Sequence, residues 1–185
     1  DETRRDGPGR EPSRLAEKYD ARRERLIETW QPPKGWRYFS AVNNDLVGLW
    51  YTSASFVFFL FGGVLALLIR TQLAVPEHSF LGPELYNQLF TLHGSIMMFL
   101  FAVPIFEAVS ILLMPEMLGA RDLPFPRLSA FGFWCFVIGG VFVCGSIFFD
   151  AAPQGGWFMY PPLTTAVQEG VGADIWLLGL GFIEI

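Results

Sequence analysis

The chain has 185 residues, of which 52% are hydrophobic and 16% aromatic, and its formal net charge is -5. Its first 37 residues hold ten of the 13 basic and eight of the 18 acidic residues, so the rest of the chain contains three arginines and no lysine. A soluble globular protein would spread its charge along the chain, and a nucleic-acid-binding protein would be basic overall. The composition argues against both classes and predicts a membrane protein.

Residues 1–40 form a charged N-terminal extension that is too poor in apolar residues to build a core. Between residues 13 and 30, apolar side chains recur near helical spacing among Arg and Glu, which predicts a short surface helix with a solvated charged face. A secretory signal is not indicated, because the first long apolar run begins only at Leu46 and exceeds the length of a signal core.

Apolar runs over residues 41–185 predict membrane spans at about 46–69, 86–114 and 130–149. The first run has 24 residues without a charge, and as an α-helix it would be about 36 Å long, enough to cross a hydrocarbon core of about 30 Å. The last run, 174–185, has 12 residues, so we expect a truncated fourth span and the N-terminal part of a longer protein. The predicted fold class is all-α, a multispan transmembrane helical bundle.

Basic residues near the spans indicate the orientation of the bundle. The N-terminal extension is rich in them and the loop at 115–129 contains Arg121 and Arg127, whereas the loops on the opposite side contain none. We therefore expect a cytoplasmic N-terminus. Arg70, at the outer end of the first span, departs from this rule and calls for a specific role, with a snorkelling interfacial arginine as the alternative.

His93 is the clearest functional candidate, because an ionisable residue inside a membrane span is costly and functional by default. It lies about 10 Å into the membrane from the outer side. Gly94 and Ser95 follow it and allow close approach of a large flat group. Imidazole is a common axial ligand of haem iron. From the residues alone, a histidine bonded to a carbonyl of a neighbouring helix is an equal alternative.

Five blocks in register resemble subunit I of the haem-copper oxidases, and the resemblance covers about residues 43–185. It is greatest to bacterial terminal oxidases of the cytochrome c oxidase group. It implies an N-terminal fragment with three complete helices and the start of a fourth out of a core of twelve. The blocks are LFTLHGSIMMF at Leu89–Phe99, Pro104 with Met114 and Pro115, LGARD at Leu118–Asp122, FPRL at Phe125–Leu128, and GWFMYPPL at Gly156–Leu163.

The resemblance assigns three residues to haem. His93 matches an axial ligand of the low-spin haem, which is haem a or b, and Arg70 matches the arginine near its formyl group. Trp157 matches the tryptophan that bonds a propionate of the high-spin haem, with an interfacial aromatic residue as the alternative. The ligands of the high-spin haem and of copper lie outside this chain in the family, so no catalytic residue is assigned here.

Two carboxylates are candidates for a proton pathway. Asp122 matches the cytoplasmic aspartate at the mouth of the family's proton-uptake channel, and pairing with Arg121 or Arg127 is the alternative. Glu107 lies 14 residues after His93, which predicts nearly the same helix face and a position about 21 Å closer to the cytoplasm. Glu107 is interpreted either as a replacement proton relay or as a structural carboxylate, and these two interpretations are equal.

Two segments depart from the family pattern near these carboxylates. The usual Gly-Gly-Phe-Gly-Asn segment reads Glu-Ala-Val-Ser-Ile from Glu107, and the asparagines that follow the Pro-Arg-Leu motif are replaced by Ser129 and Ala130. Those asparagines line the proton channel in typical members. Proton uptake at Asp122 is expected, whereas the usual pumping route is altered.

The resemblance implies a terminal respiratory oxidase of the bacterial inner membrane, with oxidase subunits II and III as partners and membrane lipid around it. Electrons would pass from cytochrome c through the low-spin haem to a haem-copper centre, where oxygen is reduced to water with proton translocation. No nucleic-acid partner is expected. A quinol oxidase with the same haem core is one alternative, and a short accessory or assembly protein without haem is another.

Overall fold

The structure is a computed structural model that describes residues 14–167 and 170–185. Within those ranges every regular element is helical, which confirms the predicted all-α fold class. The chain divides into two compact units, one ending at Phe39 and the other beginning at Ser40. Residues 1–13 of the predicted charged extension lie outside the described residues.

The first unit contains one long helix, α1 (Arg14–Trp30), and a 3-10 helix follows it at Gly35–Ser40. Side chains from Glu17 to Glu28 are exposed. Within this unit the charged residues of α1 therefore form a solvated surface, as their spacing indicates.

The second unit is a bundle of apolar helices. Three of them are long and apolar enough to cross a membrane, at Asn44–Gln72, Pro83–Leu118 and Pro126–Phe149. The elements in chain order are α2 (Asn44–Gln72), α3 (Pro83–Ser95), a π-helical turn (Ile96–Ala102), α4 (Val103–Leu118), α5 (Pro126–Gly145), a 3-10 turn (Ser146–Phe149), a second π-helical turn (Leu163–Val167) and the shorter α6 (Gly172–Ile183).

Capping residues fix the ends of these helices. The side chain of Asn43 accepts a hydrogen bond from the backbone N–H of Asp45 at 2.8 Å and so caps α2. Helices α3 and α5 begin with Pro83 and Pro126, whose missing N–H groups would be unpaired there in any case. Gly119 adopts a left-handed φ of 65° and ends α4.

A wide turn interrupts the second membrane helix at Ile96–Ala102. Pro104 has no N–H to donate to the carbonyl of Leu100, and its ring disfavours regular α-helix at that level. The N–H of Val103 instead bonds the carbonyl of Met98, five residues back. Such a turn takes up one extra residue, so the side chains beyond it are rotated by about 100° relative to an uninterrupted α-helix.

Glycines allow the membrane helices to approach closely. A Cβ atom on Gly139 of α5 would lie 2.7 Å from the carbonyl oxygen of Gly179 in α6, and one on Gly179 would overlap Val143. A Cβ atom on Gly140 would lie 2.6 Å from the ring of Phe58 in α2. These contacts fix α5 between α2 and α6.

Candidate functional site

His93 lies in the last turn of α3 and is half-buried. Its Nδ1 atom is 2.9 Å from the carbonyl oxygen of Gly62 in α2. Because a carbonyl only accepts hydrogen bonds, Nδ1 carries the proton and Nε2 keeps its lone pair in the neutral ring. Histidines that ligate metals commonly donate through their other nitrogen in this way. The carbonyl bond therefore fixes the orientation of the His93 ring and leaves Nε2 as the ring atom that could bind a metal.

Small residues surround this hydrogen bond on α2. A Cβ atom on Gly62 would lie 3.1 Å from Cγ2 of Ile96 and 3.2 Å from Sδ of Met97, so α2 and the helix of His93 are in tight contact. A Cβ atom on Gly63 would have no other heavy atom within 4 Å. Two successive residues of α2 therefore differ: Gly62 is in tight contact with the helix of His93, and Gly63 faces open space.

Trp157 lies against the helix that carries His93. The backbone N–H of Gly156 donates to the hydroxyl of Thr91 at 2.9 Å in a buried hydrogen bond, which anchors the loop after α5 on α3. A Cβ atom on Gly94 would lie 3.2 Å from Cδ1 of Trp157. The indole ring of Trp157 therefore lies against Gly94, the residue next to His93. The side chain of Trp157 is 40% exposed.

Arg70 is exposed in the last turn of α2 and is not part of the His93 contact. It lies eight residues beyond Gly62, which corresponds to about 12 Å along the helix. Seven residues separate it from Gly63, so these two positions share one face of α2. Phe56 and Phe59 lie on the same face, with exposed fractions of 50% and 36%. Arg70 therefore ends an apolar stripe that includes the open space at Gly63.

Glu107 lines a cavity of about 460 Å³ together with Glu184 and Tyr51. The two carboxylates belong to α4 and to the end of α6, and both side chains are exposed. The hydroxyl-bearing residues Ser110 and Ser129 also line the cavity. Polar groups from four helices therefore converge on a space large enough for several water molecules.

The expected position of Glu107 on the His93 face is wrong. That expectation assumes an uninterrupted α-helix, whereas the turn at Ile96–Ala102 lies between the two residues. With one extra residue in that turn, the two side chains are about 140° apart around the helix. His93 accordingly bonds Gly62, while Glu107 faces the cavity shared with α5 and α6.

Asp122 lies in the loop between α4 and α5 and is half-buried. Its Oδ1 atom accepts a hydrogen bond from the backbone N–H of Leu123 at 2.9 Å. The first turn of α5 follows this loop and contributes Leu128 and Ser129 to the cavity wall. Asp122 thus lies in the loop that precedes this part of the cavity wall, but its own side chain does not line the cavity.

Comparison with known proteins decides the family. A sequence model described as cytochrome C and Quinol oxidase polypeptide I matches residues 46–185. The chain belongs to this family.

Curated relatives support this membership. A putative cytochrome c oxidase subunit 1-beta of Streptomyces coelicolor is 44% identical over 146 residues, which are 78% of this chain and 26% of that protein. Cytochrome c oxidase subunit 1 of Synechocystis is 44% identical over 151 residues, 80% of this chain and 27% of the relative. The subunit 1 of Corynebacterium diphtheriae is 41% identical over 173 residues, 92% of this chain and 29% of the relative. The chain spans about a quarter of the length of such relatives.

Membership of the cytochrome c and quinol oxidase family implies haem and copper in the full-length subunit. Over residues 14–167 and 170–185, no group of three or more His, Cys, Asp or Glu side chains is placed to hold a metal ion. His93 fits a haem iron, because Nδ1 is bonded to the carbonyl of Gly62 and Nε2 keeps a lone pair that could bind the metal. The open space at Gly63 would admit a flat group against α2.

Several residues of these sites give little signal in the sequence. Gln88, Thr91 and Ser95 are buried at positions i, i+3 and i+7 of α3 and hold neighbouring segments. Gln88 donates to the carboxylate of Asp150 at 3.0 Å, and Ser95 accepts from the indole N–H of Trp176 at 2.8 Å. Their helical spacing among apolar residues predicts that one polar face of α3 is buried. It does not predict which residues form hydrogen bonds with that face.

Proposed function

We propose that this chain is the N-terminal part of the oxygen-reducing subunit of a terminal respiratory oxidase. The observation that carries the proposal is the hydrogen bond from Nδ1 of His93 to Gly62 within two membrane-spanning helices. It orients an intramembrane imidazole with Nε2 available in a chain of this family. A haem bound there would accept and pass on one electron at a time.

The residues around His93 would bind and orient that haem. Gly62 holds the imidazole ring, and the stripe from Phe56 to Gly63 supplies apolar surface for the porphyrin face. Arg70 would place a guanidinium, which is always charged, at the end of this stripe, where it stabilises the reduced haem. Trp157 offers an indole N–H on the outer side for a propionate group.

Proton uptake would begin at Asp122 and continue through the cavity to Glu107. Support comes from Ser129 and Ser110, two hydroxyl-bearing residues that line the cavity together with Glu107. Water in such a polar cavity conducts protons along hydrogen bonds. Ser129 stands where typical family members have a channel asparagine, so a shorter hydroxyl group would take the place of that amide.

The full-length protein would lie in a bacterial inner membrane with its N-terminus in the cytoplasm, because the basic residues cluster at that end of the bundle. Oxidase subunits II and III are the proposed partners. Subunit names among the relatives favour cytochrome c as the electron donor. The family description also includes quinol oxidases, which keeps a quinol donor as the second candidate. The family match favours either oxidase over an accessory protein.

The donor is tested by oxygen consumption of the purified oxidase complex that contains the full-length subunit. Reduced cytochrome c is expected to support rapid oxygen consumption, and a soluble quinol is expected to support little. The reverse pattern would establish the quinol oxidase. A complex that takes electrons from neither donor and contains no haem would contradict the proposed function itself.

A further inference from the structure

The polar face of α3 holds the loop at 150–157 at two points. The side-chain amide of Gln88 donates to the carboxylate of Asp150 at 3.0 Å, and the hydroxyl group of Thr91 accepts from the backbone N–H of Gly156 at 2.9 Å. Gln88 and Thr91 are both buried, and they lie about one helical turn apart on one face of α3. The loop is therefore fixed to α3 near both of its ends.

The hydroxyl group of Thr91 is held in one hydrogen-bonding direction. Its hydrogen is donated to the backbone carbonyl of Asn87 at 2.8 Å, four residues back in the same helix. A hydroxyl group has one hydrogen and two acceptor lone pairs, so the oxygen acts as an acceptor toward the loop. Gly156 meets that oxygen with its backbone N–H in a buried hydrogen bond. Without the Thr91 oxygen, the N–H of Gly156 would be buried and unpaired, which is costly.

The bond to Gly156 also determines where Trp157 lies, because Trp157 is the next residue in the chain. A Cβ atom on Gly94 would lie 3.2 Å from Cδ1 and 3.4 Å from Cβ of Trp157, so the side chain of Trp157 is in direct contact with α3. Around the helix, Gly94 is about 60° from Thr91 and about 100° from His93, between the two. Trp157 therefore lies on the side of α3 that leads from Thr91 toward His93.

The two indole groups next to α3 differ in whether their N–H is already bonded. Both rings contact Phe99, with centroid distances of 6.1 Å for Trp157 and 6.3 Å for Trp176. The N–H of Trp176 donates to the hydroxyl group of Ser95 at 2.8 Å. Among the described residues, the N–H of Trp157 has no hydrogen-bond partner. An indole N–H is a donor only, so Trp157 can bind an acceptor such as a carboxylate.

We propose that Thr91 is a positioning residue for haem binding in the full-length subunit. Its hydroxyl group holds Gly156, and through Gly156 it directs the indole N–H of Trp157 to a propionate carboxylate of the haem. Thr91 itself is only 1% exposed and acts through the loop. This inference deepens the proposed function and rests on it, because the propionate contact of Trp157 belongs to that proposal.

The reduction potential of the haem distinguishes this role from a purely structural one. A donated N–H partly neutralises the negative charge of the propionate, and uncompensated negative charge near a haem stabilises its oxidised form. Displacement of the indole therefore lowers the reduction potential of the haem that carries this propionate. A purely structural role of Thr91 would lower the unfolding temperature of the protein and leave this potential unchanged.

The test is a redox titration of the purified oxidase with the full-length subunit, with thermal unfolding as a second measurement. Thr91→Val keeps the shape of the side chain without the hydroxyl group, and Thr91→Ser keeps the hydroxyl group. Trp157→Phe removes the indole N–H, and the double variant combines Thr91→Val with Trp157→Phe. Thr52→Val is the matched control, because the hydroxyl group of Thr52 donates to the carbonyl of Gly48 in its own helix at 2.8 Å and bonds no other segment of the described residues.

Thr91→Val and Trp157→Phe are each expected to lower the reduction potential of the same haem, whereas Thr91→Ser and Thr52→Val should leave it at the wild-type value. The double variant should show the shift of Trp157→Phe alone, because Thr91 acts through Trp157. If Thr91→Val fails to assemble, Thr91→Cys takes its place. The thiol is a weaker acceptor than the hydroxyl group, so Thr91→Cys should lower the potential by less than Trp157→Phe does.

An unchanged reduction potential in assembled Thr91→Val, with a lowered one in Trp157→Phe, would overturn the role of Thr91 and leave the propionate contact of Trp157 in place. Additive shifts in the double variant, or an equal shift in Thr52→Val, would also overturn it. Unchanged potentials in both single variants would overturn the role of Thr91 together with the contact of Trp157. Failure of the proposed function itself is recognised separately, by a normal low-spin haem band in His93→Ala.

Discussion

The carbonyl oxygen of Gly62 and the Nδ1 atom of His93 are 2.9 Å apart and join the first two membrane-spanning helices by a side-chain hydrogen bond. Because Gly62 has no side chain, α2 can come into close contact with Ile96 and Met97 at this position. The same residue therefore sets both the helix contact and the orientation of the imidazole ring.

Gly62→Ala is expected to move α2 away from α3, since the added Cβ atom would lie only 3.1 Å from Ile96 and 3.2 Å from Met97. The bond to His93 should lengthen, and the low-spin haem band of the full-length oxidase should shift or broaden. Gly145→Ala is the control, because a Cβ atom there has nothing within 4 Å. Identical spectra for the two variants would argue against a role of Gly62 in orienting His93.

Gly179→Ala is expected to destabilise the packing of α6 on α5, because the new methyl group would overlap Val143. Overpacking of this kind costs about 1–3 kcal/mol. Thermal unfolding of the purified complex measures the effect. Gly181→Ala, on the same helix but with open space around it, should unfold at the normal temperature. Equal destabilisation by both substitutions would contradict the described helix contact.

Much of the fold follows from the sequence, because runs of apolar residues and the capping residues Asn43 and Gly119 mark the helices. The helix face on which Glu107 lies does not follow from the sequence. The missing N–H of Pro104 favours the wide turn at Ile96–Ala102, and that turn holds one residue more than a regular α-helical turn, which the spacing of apolar residues does not reveal. Glu184 and Tyr51 are 133 positions apart, and only tertiary packing brings them to one cavity.

Arg70→Met is expected to lower the reduction potential of the low-spin haem and to shift its absorption band, because a fixed positive charge near a haem favours its reduced form. A redox titration of the full-length oxidase measures both. Arg127→Met is a suitable control, since this exposed arginine lies in the first turn of α5 at the opposite end of the bundle. An unchanged reduction potential of the low-spin haem in Arg70→Met would favour the alternative interpretation, in which Arg70 is a snorkelling interfacial arginine.

Asp122→Asn is expected to slow oxygen consumption about tenfold while leaving the haem spectra intact, because the amide cannot accept and release a proton. Proton uptake from the cytoplasmic side of reconstituted vesicles should fall in parallel. Glu116→Gln controls for a lost charge at the same end of the bundle. Normal turnover with normal proton uptake in Asp122→Asn would remove Asp122 from the pathway.

The most direct test of the account is the optical spectrum of the reduced full-length oxidase with His93→Ala, measured beside His78→Ala. His78 is exposed in the loop after α2 and is the other histidine of this chain, so it controls for loss of an imidazole. We predict that His93→Ala abolishes the six-coordinate low-spin haem band and that His78→Ala retains it. A normal low-spin band in assembled His93→Ala oxidase would contradict the assignment of His93 as a haem ligand.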